Sequence, residues 1–360
     1  MKIFVLSPDF TADSPPWINI FWPHYNAIAS AVPTVHLSSP ETLRGRGWLP
    51  KVDRWQQRRA HGRRLVDQVL SELDPGGPNI LLVWALRGSD IERATMLDPV
   101  WERFSHHVLA VVDNLQAKHV ATHAQGRYER VTCFCGDLTK DFETTTGIRS
   151  LHFPPHTDAL NFHNATPYRP IDLFIVGRRD LELYPPIHRH FNAPGRDRLS
   201  LDFVSRTRNT RYDSEEEFRL LATTYAKAKA AFCFDPSKLS RFHSRSPLTE
   251  RWVHAWTAGC TVIGTAPTGA GVAEASDWQD AMIDLPEGPG AAIEAIEALL
   301  SDEAGLAERR VRNAAEALRR HDTRHRLCAL LDDFDLPQPE ALTTGIEALK
   351  ARADAIEAGR

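Results

Sequence analysis

The chain has 360 residues, enough for two domains of ordinary size, and 42% of them are hydrophobic and 25% charged. That balance excludes disorder, collagen and coiled coil, and a net charge of -4 argues against a general nucleic-acid binder. Five scattered cysteines make no disulfide framework; without a signal peptide or a stretch of roughly 18 apolar residues, the expectation is a soluble cytoplasmic protein.

Lys2–Ser7 is an apolar run closing on a Pro-Asp turn, the pattern of a buried opening strand. The loop after it, Asp9 to Pro23, carries Asp13, Trp17, Asn19 and Trp22. A loop following the first strand of an α/β sheet lies at the carboxyl edge, where ligands bind. It lacks G-x-G-x-x-G, so no dinucleotide is expected in this half. A helix starting at Tyr25–Ser30 and a strand at Thr34–Leu37 come next. Arg44 to Arg64 is basic and interleaved with Trp48 and Trp55. Two readings stay open there: a solvated helix face, or a patch facing the acceptor or the inner face of a membrane.

His61–Leu73 reads as a helix stopped by Asp74-Pro75-Gly76-Gly77. Asn79–Leu86, His107–Val112 and Arg130–Cys135 are further buried strands. Strands alternating with helices indicate a parallel sheet covered on both faces. Two of these strands end in polar pairs, Asp113-Asn114 and Gly136-Asp137, and either aspartate suits a cleft or a helix cap. Cys133 and Cys135 share one side of a strand, but no second pair follows at zinc spacing, so both read as core thiols. His152 and His156 flank Pro154-Pro155, which prevents a helix from presenting both to a metal.

Pro170–Arg178 opens a second series of strands and ends at Gly177 and Arg178. Ser200–Ser205 is its next strand, Ser214–Ala230 a helix with acidic residues in its first turn, and Ala231–Asp235 a further strand. A polar loop with Ser237, Lys238, Arg241, His243 and Arg245 leads to Arg245–Glu274. In that stretch Leu248, Trp252, Val253 and Trp256 form one apolar helical stripe. Gly259 stands at the position of a left-handed helix stop, and Thr261-Val262-Ile263 is a β-branched core strand. Glu250 falls in the first turn of the helix, where the dipole favours a carboxylate by about 0.3–1 kcal/mol. Beyond a short strand at Ala281–Leu285, Ala291–Leu300 and Ala304–Arg320 are helices. His321 and His325 read as surface histidines near a helix end, and Pro339–Ala358 as a terminal helix.

The stretch resembles the donor-binding segment of GT-B glycosyltransferases of the family-4 and spore-coat-maturation type. Glu250, Ala258-Gly259-Cys260, Val262-Ile263 and Gly269-Ala270-Gly271-Val272-Ala273-Glu274 stand where that family has its helical Glu, Ala-x-Gly, Val-Ile strand and Gly-Gly-x-x-Glu. Two other segments match: Pro154, Asp158 and Phe162 at the spacing of the family's linker signature, and Val176-Gly177-Arg178 at its strand end. The resemblance implies an α/β, GT-B chain of two Rossmann-like domains facing each other across a cleft. Residues 1–160 would be the acceptor domain, 166–335 the nucleotide-sugar-binding domain and 336–360 a terminal helix that returns over the first domain or reaches a partner.

The same resemblance implies transfer of a sugar from a nucleotide-diphosphate sugar to an acceptor hydroxyl, with no cofactor and no metal. Gly177, Arg178, Lys238, Arg245, Glu250, Gly269, Gly271 and Glu274 would surround the donor, and Asp13 and Asp113 are the candidate catalytic bases. The acceptor, whether sugar, lipid-linked or protein, is open; no nucleic acid is expected. Many retaining relatives carry an acid eight positions before the helical Glu, where this chain has Phe242, which leaves the stereochemistry open. An epimerase or hydrolase of the same fold, and a non-catalytic scaffold, are the alternatives.

Overall fold

The computed structural model describes residues 1–10, 20–39, 51–112, 116–177, 179–203 and 213–359. The chain divides into two compact units, one of Met1–Phe153 with Arg211–Ser214 and one of Pro154–Thr210 with Glu215–Arg360.

The first unit runs β1 (Lys2–Pro8), α1 (Phe21–Ala31), β2 (Thr34–Ser39), α2 (Lys51–Glu72), β3 (Asn79–Ala85), α3 (Gly88–Arg93), β4 (His106–Val111), α4 (Ala117–Ala124), β5 (Arg130–Cys133), α5 (Gly136–Thr146) and β6 (Arg149–His152). Its strands pair in parallel in the order β2-β1-β3-β4-β5-β6. Phe4, Leu6, Leu81, Val83, Leu109 and Val131 alternate onto one buried face, while Ile3, Val5, Ile80 and Leu82 are buried on the other. Burial on both faces is why these strands read as continuous apolar runs. The last of them, β6, is not among the strands that the sequence pattern offers. Its pairing with β5, from Arg130↔Arg149 to Cys133↔His152, makes it a strand.

The second unit continues with α6 (Ala159–Phe162), β7 (Ile171–Val176), α7 (Tyr184–Phe191), β8 (Ser200–Phe203), α8 (Ser214–Ala226), β9 (Ala228–Cys233), α9 (Glu250–Thr257), β10 (Thr261–Gly264), α10 (Val272–Ala275) and β11 (Ile283–Asp284). Four helices follow: α11 (Pro289–Ser301), α12 (Glu303–Arg320), α13 (Thr323–Asp333) and α14 (Glu340–Glu357). The order is β11-β10-β9-β7-β8, again all parallel. The helix expected to run to Ala230 stops at Ala226, because β9 pairs with β7 from Ile171↔Ala228 onward. Lys229, inside that expected helix, instead sits in the strand and reaches Asp172 at 3.0 Å. Tertiary pairing overrides helix propensity here.

Residues 154–163 are tied into this unit. Thr157 donates to the His321 carbonyl at 2.9 Å and accepts from the Thr323 N–H at 2.9 Å. Beneath that bridge Arg324 donates to Asp158 at 3.0 Å and Asp322 at 2.9 Å, with both carboxylates fully buried. Burial pushes the Asp322 carboxyl above its ordinary range, against the charge of Arg324. Asp322 also accepts from the Leu160 N–H at 3.0 Å and caps α13 through the Arg324 N–H at 2.8 Å. Helix α14 lays Leu349, Ala353 and Ile356 against Ala314, Ala315 and Leu318 of α12. Arg319 clamps its far end through Glu357, at 2.7 and 2.6 Å, and Asp354.

His321 corrects the surface reading: it is fully buried. Its Nε2 lies 2.8 Å from the Ala275 carbonyl and its Nδ1 3.2 Å from that of Pro155. Burial first, then the charge of Arg326, pushes its pKa down from 6.5 to about 3, outweighing the two carbonyls. Since the folded value lies below the unfolded one, stability is complete above about pH 6.5 and falls as pH drops, by about 1.4 kcal/mol per unit. A histidine NMR titration should therefore show a ring at this position that stays neutral from about pH 7.5 to about pH 4.5. A titration with a midpoint near 6.5 would mean that the two carbonyls hold an imidazolium.

Candidate functional site

The β9-α9-β10 crossover, which joins two parallel strands, delivers the start of α9 to the carboxyl edge of the sheet. The helix is fixed by its inner face: Leu248, Trp252, Val253 and Trp256, the predicted stripe, are all buried to 2% exposure or less. Trp256 Nε1 also donates to the Ala281 carbonyl at 2.7 Å. At the far end Gly259 takes φ +70°, the Gly259 N–H reaches the Trp256 carbonyl at 2.7 Å and the Cys260 N–H that of Ala255 at 2.8 Å. This pair of bonds is the Schellman stop. The buried Arg169 guanidinium closes the same end, donating to the carbonyls of Ala258 at 2.5 Å and Ala228 at 2.6 Å. A cation there also meets the negative end of the helix dipole.

With α9 anchored, its first turn faces the point where strand order reverses. Strands β7 and β9 are neighbours, yet the chain leaves them in opposite directions, which opens a crevice at their carboxyl ends. Gly177, just after β7, is exposed at φ +73°, and a Cβ built on it would lie 3.9 Å from Arg251 Cδ. Arg251 extends over the Phe234 ring, 4.7 Å from its centre, at the end of β9. Beside them Lys238 bridges the two strand ends, 3.1 Å from the buried Asp180 and 3.6 Å from Glu182. Asp180 is held in turn by the N–H groups of Glu182 and Leu183.

The loop that leads from β9 to α9 is laced to the glycine-bearing loop that follows β10. Asp235 accepts from Ser246 Oγ at 2.7 Å, and Ser246 Oγ accepts from the Thr268 N–H at 2.7 Å. The Gly269 N–H donates to the Ser246 carbonyl, also at 2.7 Å. Between these anchors His243 and Ser244 take φ +49° and +64°. Non-glycine residues there are uncommon and persist when the surroundings impose them.

Gly177, Lys238 and Arg251 therefore meet at one sheet edge, with Glu250 one residue away on α9. The Glu250 side chain is 22% exposed, and its Oε2 is 3.8 Å from His254 Nε2. Arg245 is half-buried in the loop leading to the helix. The Gly269 N–H is engaged with Ser246; Gly271, at φ +80°, opens α10, on which Glu274 is exposed. Asp13, Asp113 and Arg178 lie outside the described residues. Arg251 was not singled out from the sequence. Its place next to Glu250 in a helix first turn was the available signal, but the direction of its side chain comes from packing.

No family model and no curated protein matches the sequence. Solved structures match over nearly its whole length. Anabaena HepE in complex with UDP-glucose is 11% identical, with 93% of this chain and 99% of that one covered and a TM-score of 0.56. An alpha-glucosyltransferase in complex with UDP-glucose and DNA containing an abasic site gives 11%, 93%, 99% and 0.56. The E. coli trehalose-6-phosphate structure bound with UDP-2-fluoro glucose gives 9%, 94%, 100% and 0.54. At such identities the likeness establishes the fold: GT-B, with two Rossmann-like domains.

The lacing of the loops has a measurable consequence. Ser246→Ala removes a hydroxyl that both donates and accepts in a buried position, so it should destabilise the chain by about 1–3 kcal/mol. The urea midpoint should drop with no change of slope; an unmoved midpoint would show that the loops do not depend on this link.

Proposed function

We propose that the protein is a glycosyltransferase that moves a sugar from a nucleotide-diphosphate sugar to an acceptor hydroxyl without a metal. The observation that carries this reading is the meeting of Gly177, Arg251 and Lys238 with the first turn of α9 at the β7/β9 switch point. Glycine lets a backbone approach phosphate oxygens closely, and a guanidinium can grip two of them at once. The helix start adds N–H groups and a positive dipole. UDP-glucose and UDP-2-fluoro glucose in structures of the same fold support a donor of this class.

On this reading the second unit does little covalent chemistry. As the glycosidic bond to the diphosphate breaks, negative charge grows on the leaving phosphate, and preorganised cations and N–H groups stabilise it. Arg251 and Lys238 supply that charge, with Arg178, Arg245, Gly269 and Gly271 the other donor-side candidates. Lys238 does so while sharing its ammonium with Asp180. Glu250 accepts hydrogen bonds from the ribose hydroxyls, and Glu274 is the second acidic candidate. An inverting reaction also needs a base for the acceptor hydroxyl, a role assigned to Asp13 or Asp113; a retaining one does not need it there. Arg59, Arg63 and Arg64 on α2 are exposed, in keeping with an anionic acceptor or a membrane surface, and no helix of the described residues is long and apolar enough to cross one.

The test starts from donor binding. Among uridine, guanosine and thymidine diphosphates and their sugars, at least one should raise the melting temperature of the chain. Loss of a charge-assisted hydrogen bond costs about 1.5–3 kcal/mol, so Glu250→Ala and Arg251→Ala should each weaken that donor about ten- to a hundredfold with the fold intact. Unchanged affinity in both variants would refute the assignment. Donor consumption in the absence of any acceptor would instead indicate a hydrolase or epimerase.

A further inference from the structure

Glu250 and His254 stand one turn apart on the same side of α9, in the orientation that favours an acid followed by a base at i+4. Glu250 Oε2 lies 3.8 Å from His254 Nε2, and the His254 side chain is only 9% exposed. Its ring is gripped from α8: Phe218 meets it edge-on at 5.2 Å between centres and Tyr225 at 6.3 Å. Tyr225 itself is buried against Phe174 of the sheet at 4.8 Å. The imidazole is thus an aromatic wall piece whose polar edge is directed at the one carboxylate in the first turn of α9. A histidine that served packing alone would be matched by phenylalanine, which fills the same slot without a ring nitrogen.

We propose that His254 is a positioning residue: clamped by Phe218 and Tyr225, it fixes the orientation of the Glu250 carboxylate toward the ribose hydroxyls of a nucleotide-diphosphate sugar. The inference rests on the donor reading above and extends it to a residue behind the contact surface. Oriented carboxylates bind hydroxyl pairs better because the ordering is done before the ligand arrives. Arg326 on α13, whose Nε donates to the Pro154 carbonyl at 3.3 Å, is also within electrostatic reach of Glu250. That positive charge remains when His254 is replaced, so a loss of affinity reports orientation rather than the disappearance of all nearby cations.

The experiment is a double-mutant cycle read by titration calorimetry with uridine, guanosine and thymidine diphosphate glucose on the full chain. His254→Phe keeps the aromatic packing and should weaken the bound donor about fivefold, with the melting temperature changed little. His254→Gln, whose amide keeps a polar group on the side of the carboxylate, should recover most of that loss even if it is the less stable protein. In a Glu250→Gln background the His254→Phe change should have almost no further effect, because contacting residues that act through one another are not additive. Additive losses, or a donor affinity within twofold of wild type in His254→Phe, would overturn the positioning role and leave the donor reading standing. Failure of the wild-type chain to bind any of the three would remove the donor reading, and the positioning role with it.

Discussion

Parallel pairing of β7 with β9 is the constraint on which the second unit depends. Once those two strands are neighbours, with β8 on one side and β10 on the other, right-handed crossovers must leave them in opposite directions. No helix can then cover their carboxyl ends, and the chain has to close the gap with loops. That is why Gly177, Asp180, Asp235 and Lys238, which belong to two separate strand ends, share a single edge. The ion pair of Lys238 with Asp180 is a product of this topology, as is the approach of Arg251 to Gly177.

Helix α9 converts that edge into a site because its other features leave it no freedom. Trp252 and Trp256 are among the largest fully buried side chains, so its rotation about its own axis is set by the core. Its axial position is set at the end, by the Schellman bonds at Gly259 and by Arg169. The following strand is equally constrained: at Gly264, φ +144°, a Cβ would lie 1.5 Å from the Cys233 carbonyl oxygen, so β10 and β9 can meet there only through glycine. With rotation and translation both fixed, Arg251 points at the strand ends while Glu250 and His254 share a different side.

The buried ionic group at Asp158, Arg324 and Asp322 plays the corresponding part for the segment that begins at Pro154. Two carboxylates out of water are costly, and a single guanidinium offsets that cost only with good geometry. Here Arg324 bonds both, backbone N–H groups of Leu160 and Arg324 complete Asp322, and Asn161 reaches Asp158 at 2.7 Å. Together these bonds tie Asp158 and the Leu160 N–H to the start of α13. The Pro-x-x-x-Asp-x-x-x-Phe spacing that marks the linker in the sequence thus has a physical counterpart: Asp158 is the residue that α13 holds, and Phe162 packs edge-on to Phe218 at 4.7 Å.

Local pattern alone settled much of this protein. Alternating apolar runs and helical stripes gave two series of parallel strands, the stripe on α9, and the left-handed stop at Gly259, since each depends on residues within a turn or two of one another. The same local signal failed at β6, at the start of β9 and at α13. There the deciding partners are Arg149 with Arg130, Ala228 with Ile171, and Asp322 with Leu160 and Arg324 of a distant or unrecognised segment. The site divides in the same way. Gly177, Lys238 and Glu250 stood out by residue type and position, but that Lys238 is shared with Asp180, that Arg251 lies over Phe234 and that His321 is buried followed only from tertiary packing. Chain order fixes which side chains exist at a strand end; pairing between strands far apart in sequence decides which of them meet, because only the folded sheet brings their carboxyl ends to one edge.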